Sequence, residues 1–266
     1  MPPRALAGGR EAQVWDLTRE EWAGHRRRGH AAGAGTWRGG PDVTTVTEEH
    51  LAVLRRHMVE LVAIHADLAR EELGKAALDA RVMAAMGRVP RHLFVPGPLA
   101  ALAYHDAPLP IGFGKTISQP FVAAVMADLL DPRPHEAVLE VGTGLGYQAA
   151  VLACLARRVW TVEVVEGFAA AAEARFRRLG YANVGVRVGD GSRGWAERAP
   201  FDKIIVTAAA REVPPALLGQ LRPGGRMVLP TGDAEAQRLT VVDKGADGRV
   251  GMRELMDVGF APLETA

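Results

Sequence analysis

Glu140-Val141-Gly142-Thr143-Gly144-Leu145-Gly146 is the stretch whose residue types and spacing most directly suggest chemistry. Three glycines at steps of two let the backbone turn tightly, and without Cβ atoms a ligand can approach the main chain closely. The turn follows the apolar run Ala137-Val138-Leu139 and precedes an alanine-rich pattern of helical period. The context therefore reads as strand, turn, helix. A pyrophosphate would prefer the N–H groups of such a turn unopposed by a carboxylate. Glu140 at the strand end suits a ligand that carries positive charge, and S-adenosylmethionine, with its sulfonium and amino groups, is such a ligand. Taken alone, a three-glycine turn is a weak signal.

Later segments strengthen it. Val159-Trp160-Thr161-Val162-Glu163 is a second short strand ending in an acid, in the place where mononucleotide-binding units bond ribose hydroxyls. Val184 to Val188 alternates like a strand and runs into Gly189-Asp190-Gly191. Phe201 to Thr207 reads as a buried strand, and Pro223-Gly224-Gly225 as a turn before the strand Arg226 to Pro230. Strands alternating with helices imply an α/β fold, with a mostly parallel sheet covered on both faces.

The segment Tyr104 to Phe121 resists a scaffold explanation. Pro108, Pro110 and Pro120, with Gly112 and Gly114, exclude a regular helix or a central strand. Pro120 suits the first turn of a helix from Phe121 to Leu130. Ser118 then has two readings that local pattern does not separate. It caps that helix, or its hydroxyl and the nearby N–H groups hold an anion.

Composition sets the outer limits. The 266 residues are 48% hydrophobic, enough for one large α/β domain or for one domain plus an appendage. A net charge of +1 makes no electrostatic case for nucleic acid or membrane partners. The sequence shows neither a twenty-residue apolar span nor a signal peptide, and the single Cys154, in an apolar helix, suits the cytoplasm. No histidine or cysteine pair has metal-site spacing, so no metal is expected. Three regions are expected: a partly flexible extension at 1–46, a helical region at 47–95 and the sheet domain at 96–266. In the extension, Thr18 to Glu21 has the form of a capping box, and Trp15, Trp22 and Trp37 lie nearby. Thr47 caps a long amphipathic helix carrying Leu51, Leu54, Met58, Leu61, Val62, His65 and Leu68, with Gly74 as its stop. Leu78, Val82 and Met86 mark a shorter helix. His65 on the apolar stripe reads as a packed histidine rather than a ligand. Val258 to Leu263 has the form of a last edge strand.

Val89-Pro90-Arg91-His92-Leu93-Phe94-Val95-Pro96, Leu109 to Gly112 and Thr116-Ile117-Ser118-Gln119-Pro120 together resemble the protein-L-isoaspartate (D-aspartate) O-methyltransferase family. The resemblance continues through Leu139 to Gln148, Gly189-Asp190-Gly191, Ala199 to Asp202, Leu229 to Gly232, Gln237 and Phe260 to Leu263, covering roughly Met58 to Leu263. It implies a class I methyltransferase fold, Rossmann-like and doubly wound, with N-terminal helices and S-adenosyl-L-methionine as methyl donor. The implied acceptor is the free α-carboxylate of an L-isoaspartyl residue in damaged protein. Ser118 takes the active-site serine position. Glu140 and Gly142 are implied along the methionine part of the cofactor, Glu163 at its ribose, and Asp190 with Gly191 at its adenine. Thr116, Ile117 and Gln237 are implied nearby, and Thr143, Gly144 and Gly146 belong to the same turn. Lys115 departs from the glutamine common before Thr-Ile-Ser and reads as a solvated lysine. The extension has no counterpart in the family core.

A carboxylate acceptor is ionised at pH 7, so methyl transfer to it needs alignment and exclusion of water rather than a strong base. A neutral hydroxyl such as that of Ser118 holds a carboxylate without quenching it by charge pairing. Three functions remain open on this basis: isoaspartyl repair, methylation of a dedicated peptide or other carboxylate by the same fold, and a cofactor-binding interaction module. A monomer is expected.

Overall fold

The structure, a computed structural model, describes residues 47–265. The helix and linkers expected within 1–46 lie outside the described residues.

The described chain opens with α1 (Glu48–Leu68). Thr47 caps it, its hydroxyl accepting from the His50 N–H, and Glu48 and Glu49 face the positive end of the helix dipole. Leu51, Met58, Val62 and Ala66 form its buried stripe. Leu61 and Leu68, expected on the same stripe, are 41% and 75% exposed. A short turn, α2 (Arg70–Leu73), ends on Gly74 in the left-handed conformation, which glycine adopts without strain. Asp79 then caps α3 (Ala80–Arg88).

The strands β1 (Leu109–Gly112) and β2 (Lys115–Ile117) pair as a separate antiparallel hairpin. This is the form the proline-rich segment takes, neither helix nor part of the central sheet. It leads into α4 (Pro120–Leu130), with proline in the first turn. The α/β units follow in order. They are β3 (Ala137–Val141), α5 (Tyr147–Ala153), β4 (Arg158–Glu163), α6 (Glu166–Leu179), β5 (Val184–Val188) and β6 (Phe201–Val206). Then come α7 (Pro215–Gln220) and β7 (Leu221–Gly232). The chain finishes with β8 (Gln237–Lys244) and β9 (Val250–Asp257).

These strands form one seven-stranded sheet in the order β5-β4-β3-β6-β7-β8-β9. Pairings from β5 to β7 are parallel, and β8 and β9 add antiparallel. The chain winds from β3 outward to β5, then returns to the other side of β3 with β6. That reversal leaves a crevice at the carboxyl ends of β3 and β6, where open α/β sheets bind ligands. The turn expected at Pro223-Gly224-Gly225 bulges out of β7, between Leu221 opposite Phe201 and Arg226 opposite Lys203.

Both sheet faces are covered. Val138, Val159, Ile205 and Val228 pack with Met58, Val62, Met86 and Phe94, so the N-terminal helices and the sheet share one core. Leu139, Val141, Val162 and Ile204 pack on the opposite face with Leu217.

Val258 to Leu263 is not an edge strand of the sheet. The edge is β9, whose mostly exposed residues carry little apolar alternation. The tail instead makes a single parallel bridge, Ala209 with Pro262, beside the end of β6. Pro262 has no N–H with which to extend a ladder.

Candidate functional site

A cavity of about 840 Å³ opens in this crevice. Its floor is the carboxyl end of the sheet: Val141 and Gly142 after β3, Val162 to Val164 around the end of β4, and Thr207 after β6. Gly142 has φ 94°. The Thr207 hydroxyl donates to the carbonyls of Gly142 (2.7 Å) and Val141 (3.1 Å). A Cβ on Gly142 would meet that hydroxyl oxygen at 2.5 Å, so both conformation and space require glycine. Glu163 ties the glycine turn to the next loop. One carboxylate oxygen accepts from the Gly144 N–H at 2.7 Å, and the other from the Val165 N–H at 2.9 Å.

The opposite wall comes from the β1–β2 hairpin and the start of α4, with Thr116, Ser118, Gln119 and Phe121. Two buried groups fix this wall. Arg91 is wholly buried; its Nε donates to the Ala103 carbonyl (2.8 Å) and its Nη2 to the Ser118 carbonyl (2.7 Å). Its guanidinium lies 4.6 Å from the centre of the Tyr147 ring, and burial pulls its pKa down. Asp106 accepts from the Phe121 N–H (2.8 Å), the Gln119 side-chain amide (2.9 Å) and His65 Nδ1 (2.5 Å). Asp106 thus serves a free N–H at the start of α4 from outside the helix. The N-cap position is Gln119, and no side chain of the helix's own caps it. The capping reading of Ser118 is therefore corrected: its hydroxyl has no partner among the described residues and it lines the cavity. The third wall is the tail from Met256 to Glu264. Gln237 holds it, its amide donating to the Phe260 carbonyl (3.0 Å) and accepting from the Phe260 N–H (2.7 Å). Lys115 pairs with Glu264 at 2.5 Å, so it is tied across to the tail rather than solvated.

Ser118, Thr116, Gly142, Gly144, Glu163 and Gly191 meet around this one cavity. The other expected residues stand behind it. Ile117 is buried beneath its hairpin. Glu140 is wholly buried on the face that Val138 shares, since side chains alternate along β3. It therefore points away from the cavity that Val141 lines, and it accepts from the Thr161 hydroxyl at 2.5 Å. Burial pushes its pKa up to about 8, so at pH 7 it is mostly the neutral acid rather than the charge expected beside a cation. The Thr143 hydroxyl bonds that of Thr161 (2.6 Å) in the same buried chain of contacts. Gly146 starts α5 with φ 97°, and a Cβ there would strike the Phe176 ring at 2.6 Å, so its role is packing. Asp190 accepts from the Ser192 N–H (2.9 Å) and hydroxyl (2.7 Å), which places Gly191 at the cavity. Gln237 acts through the tail it braces.

The model of the Protein-L-isoaspartate(D-aspartate) O-methyltransferase (PCMT) family matches residues 65–266. The chain belongs to this family. Relatives in the isoaspartate O-methyltransferase family cover most of the chain. Protein-L-isoaspartate O-methyltransferase 1 of Polaromonas sp. (strain JS666) is 50% identical over 226 residues, 85% of this chain and 96% of its own. Protein-L-isoaspartate O-methyltransferase 2 of Syntrophobacter fumaroxidans is 53% identical over 210 residues, 79% of this chain and 85% of its own. A solved protein-L-isoaspartate O-methyltransferase superposes with a TM-score of 0.67 at 26% identity, covering 78% of this chain. The match spans 65% of that structure. A Plasmodium falciparum structure in complex with S-adenosyl-L-homocysteine shares the fold, with a TM-score of 0.65 at 22% identity over 81% of this chain and 98% of its own. The family's α/β methyltransferase fold is thus the fold of this chain.

Within this isoaspartate methyltransferase fold, sequence reading missed Arg91, Asp106 and Thr207 as builders of the site. Arg91 and Asp106 lay inside segments singled out for other reasons. Their partners are 12 to 41 residues away along the chain, beyond any local pattern. His65 was expected to be packed. It does lie edge-on to Phe121, with ring centres 5.7 Å apart, but 37% of its side chain is exposed and it lines the cavity.

Proposed function

We propose that this enzyme transfers the methyl group of S-adenosylmethionine to the α-carboxylate of L-isoaspartyl residues in proteins, the first step of their repair. The observation that carries this reading is the meeting of two dissimilar walls on one cavity. One is the glycine turn with Glu163; the other is the hairpin end with the unpaired Ser118 hydroxyl. The donor set of the first wall fits the cofactor. Bare backbone at Gly142 and Gly144 admits close approach, the Glu163 carboxylate can accept from ribose hydroxyls, and Val162 and Phe168 offer apolar flanks. Gly191 leaves room beside Val141, where a Cβ would lie 2.3 Å from a methyl carbon.

When bound, the cofactor supplies an electrophilic methyl on a sulfonium. The chain's own residues bind, align and exclude water. The acceptor carboxylate is already ionised at neutral pH and needs no base. Ser118 donates a neutral hydrogen bond that orients one carboxylate oxygen, leaving the other free to attack. Arg91 and Asp106 hold Ser118 and Gln119 in place, so orientation is built before the substrate arrives. The hairpin and tail, joined by Lys115 and Glu264, close over the reacting groups and keep water out. No helix among the described residues is long and apolar enough to cross a membrane. With a single cysteine, the chain suits action in the cytoplasm.

An isoaspartyl peptide and its aspartyl twin, each incubated with labelled S-adenosylmethionine, test the reading. Label should enter the isoaspartyl peptide only. Ser118→Ala should slow that transfer at least about tenfold, roughly 1.4 kcal/mol, with affinity for S-adenosylhomocysteine nearly unchanged. Label in the aspartyl twin instead would make the enzyme one for a dedicated acceptor. Transfer by Ser118→Ala at the parent rate would remove the serine from the chemistry.

A further inference from the structure

The acceptor wall carries a polar group that neither the methyl-transfer step nor cofactor binding uses. His65, on α1, lines the same cavity as Ser118, Gln119 and Phe121. Its Nδ1 sits 2.5 Å from Asp106 Oδ2, and the Asp106 side chain is only 6% exposed. The same carboxylate takes the Gln119 amide at 2.9 Å and the Phe121 N–H at 2.8 Å. The carboxylate accepts from Nδ1, so in the neutral imidazole the proton sits on Nδ1 and Nε2 is an acceptor. That leaves Nε2 as the remaining polar atom of the ring, with no partner among the described residues. The ring plane is set by the Asp106 bond and by the edge-on contact with Phe121. Asp106 therefore joins His65 and the residue after Ser118 in one hydrogen-bonded unit.

A histidine paired with a buried acid suggests a general base, but here there is no proton for it to take, because the acceptor is already a carboxylate. A fixed acceptor atom on the wall next to Ser118 has another use. We propose that His65 binds the acceptor polypeptide through Nε2. It takes a main-chain N–H of the isoaspartyl segment and holds the segment in register with Ser118. Asp106 is its positioning residue. This inference rests on the isoaspartyl reading above and assigns part of the substrate contact to a helix outside the sheet units. Leu68, one turn further along α1 and 75% exposed, lines the same mouth and gives the bound segment an apolar flank. An isoaspartyl acceptor presents a carboxylate and an amide a few bonds apart. Two fixed groups, a hydroxyl donor at Ser118 and an acceptor at His65, match that pair.

Steady-state kinetics with an isoaspartyl peptide, alongside calorimetry with S-adenosylhomocysteine, tests this on the full chain. His65→Ala should raise KM for the peptide about tenfold, with kcat and S-adenosylhomocysteine affinity within about twofold of the parent. His65→Gln puts an amide oxygen near the place of Nε2 and should restore most of the lost affinity. His65→Asn reaches only the place of Nδ1 and should not. An unchanged KM in His65→Ala would overturn the proposal. So would a KM rise matched by an equal loss of S-adenosylhomocysteine affinity, which would mark a structural role. Equal rescue by Asn and Gln would overturn the Nε2 assignment. A parent enzyme that methylates no isoaspartyl peptide would instead defeat the functional reading itself, and this is seen before any variant is made.

Discussion

At the scale of single residues, the most unusual group is Glu140, a carboxyl in the core of the sheet with one oxygen, Oε1, lacking any hydrogen-bond partner. Its pKa is raised from 4.5 to about 8, chiefly by burial, against the hydrogen bond from Thr161; the nearby Glu163 charge adds to the rise. The sign follows from linkage. Below pH 4.5 the group is protonated folded or unfolded and contributes nothing. As pH rises from there towards 8, the unfolded chain releases the proton while the fold keeps it, so stability falls. The slope is at most about 1.4 kcal/mol per pH unit. Glu140→Gln keeps an oxygen for Thr161 and has no proton to lose. It should melt near the parent at pH 5 and clearly above it at pH 8. A difference that does not grow between those pH values would show that Glu140 is not held neutral by the fold. The sequence showed an acid at the strand end but not which face it takes. Applying the two-residue period to Val138, Leu139 and Val141 would have separated Glu140 from the cavity. Glu163, at the last position of β4, was legible because the chain turns there and its side chain reaches the crevice. Ser118 was legible only through the family motif. Its local pattern suited a helix cap equally well, and Asp106, 15 residues before Phe121, turned out to satisfy that helix.

At the scale of elements, the site depends on how irregular segments are pinned to regular ones. The five parallel strands from β3 to β7 announced themselves by apolar runs and glycine turns, while their order in the sheet was not legible. The hairpin, β9 and the tail gave weaker signals because the hairpin strands are only three or four residues long, β9 is mostly exposed, and their positions depend on contacts distant in sequence. Arg91 is the strongest of these pins. It joins the turn Arg91–Phe94 to the Ala103 and Ser118 carbonyls, and Tyr147 covers it. Arg91→Met fills much of the same volume but leaves both carbonyls without their donor. Each buried acceptor left unpaired costs about 1–3 kcal/mol. The variant should therefore unfold at lower denaturant, and the Ser118 wall should loosen. The expected pattern is methyl transfer falling further than S-adenosylhomocysteine affinity, because the cofactor wall is built from β3, β4 and β6. Equal losses in both would mean that Arg91 supports the whole sheet rather than the acceptor wall.

At the scale of the molecule, two readings of the chain's organisation lead to different behaviour. The sequence leads one to expect an extension at 1–46, a helical region and a sheet domain. In the structure the helical region shares its core with the sheet, through Met58, Val62 and Met86. It also contributes His65 and Leu68 to the cavity, so helices and sheet make one working unit. The cavity walls run from His65 to Glu264, and the family model begins at residue 65. We therefore propose that residues 47–266 carry the whole activity. Thr47 supplies the cap for α1, so a chain starting just before it keeps a sound helix N-terminus. Such a shortened protein should melt cooperatively, bind S-adenosylhomocysteine as the full chain does, and methylate an isoaspartyl peptide with the same kcat and KM within about twofold. The competing possibility is that Trp15 and Trp22 bury against the core. Removing that much aromatic surface would cost several kcal/mol, on the order of 1.5–3 for each large side chain. A shortened protein that aggregates, or melts many degrees below the full chain, would make the extension part of the fold. An unchanged melting temperature with a raised peptide KM would instead place the extension at the substrate.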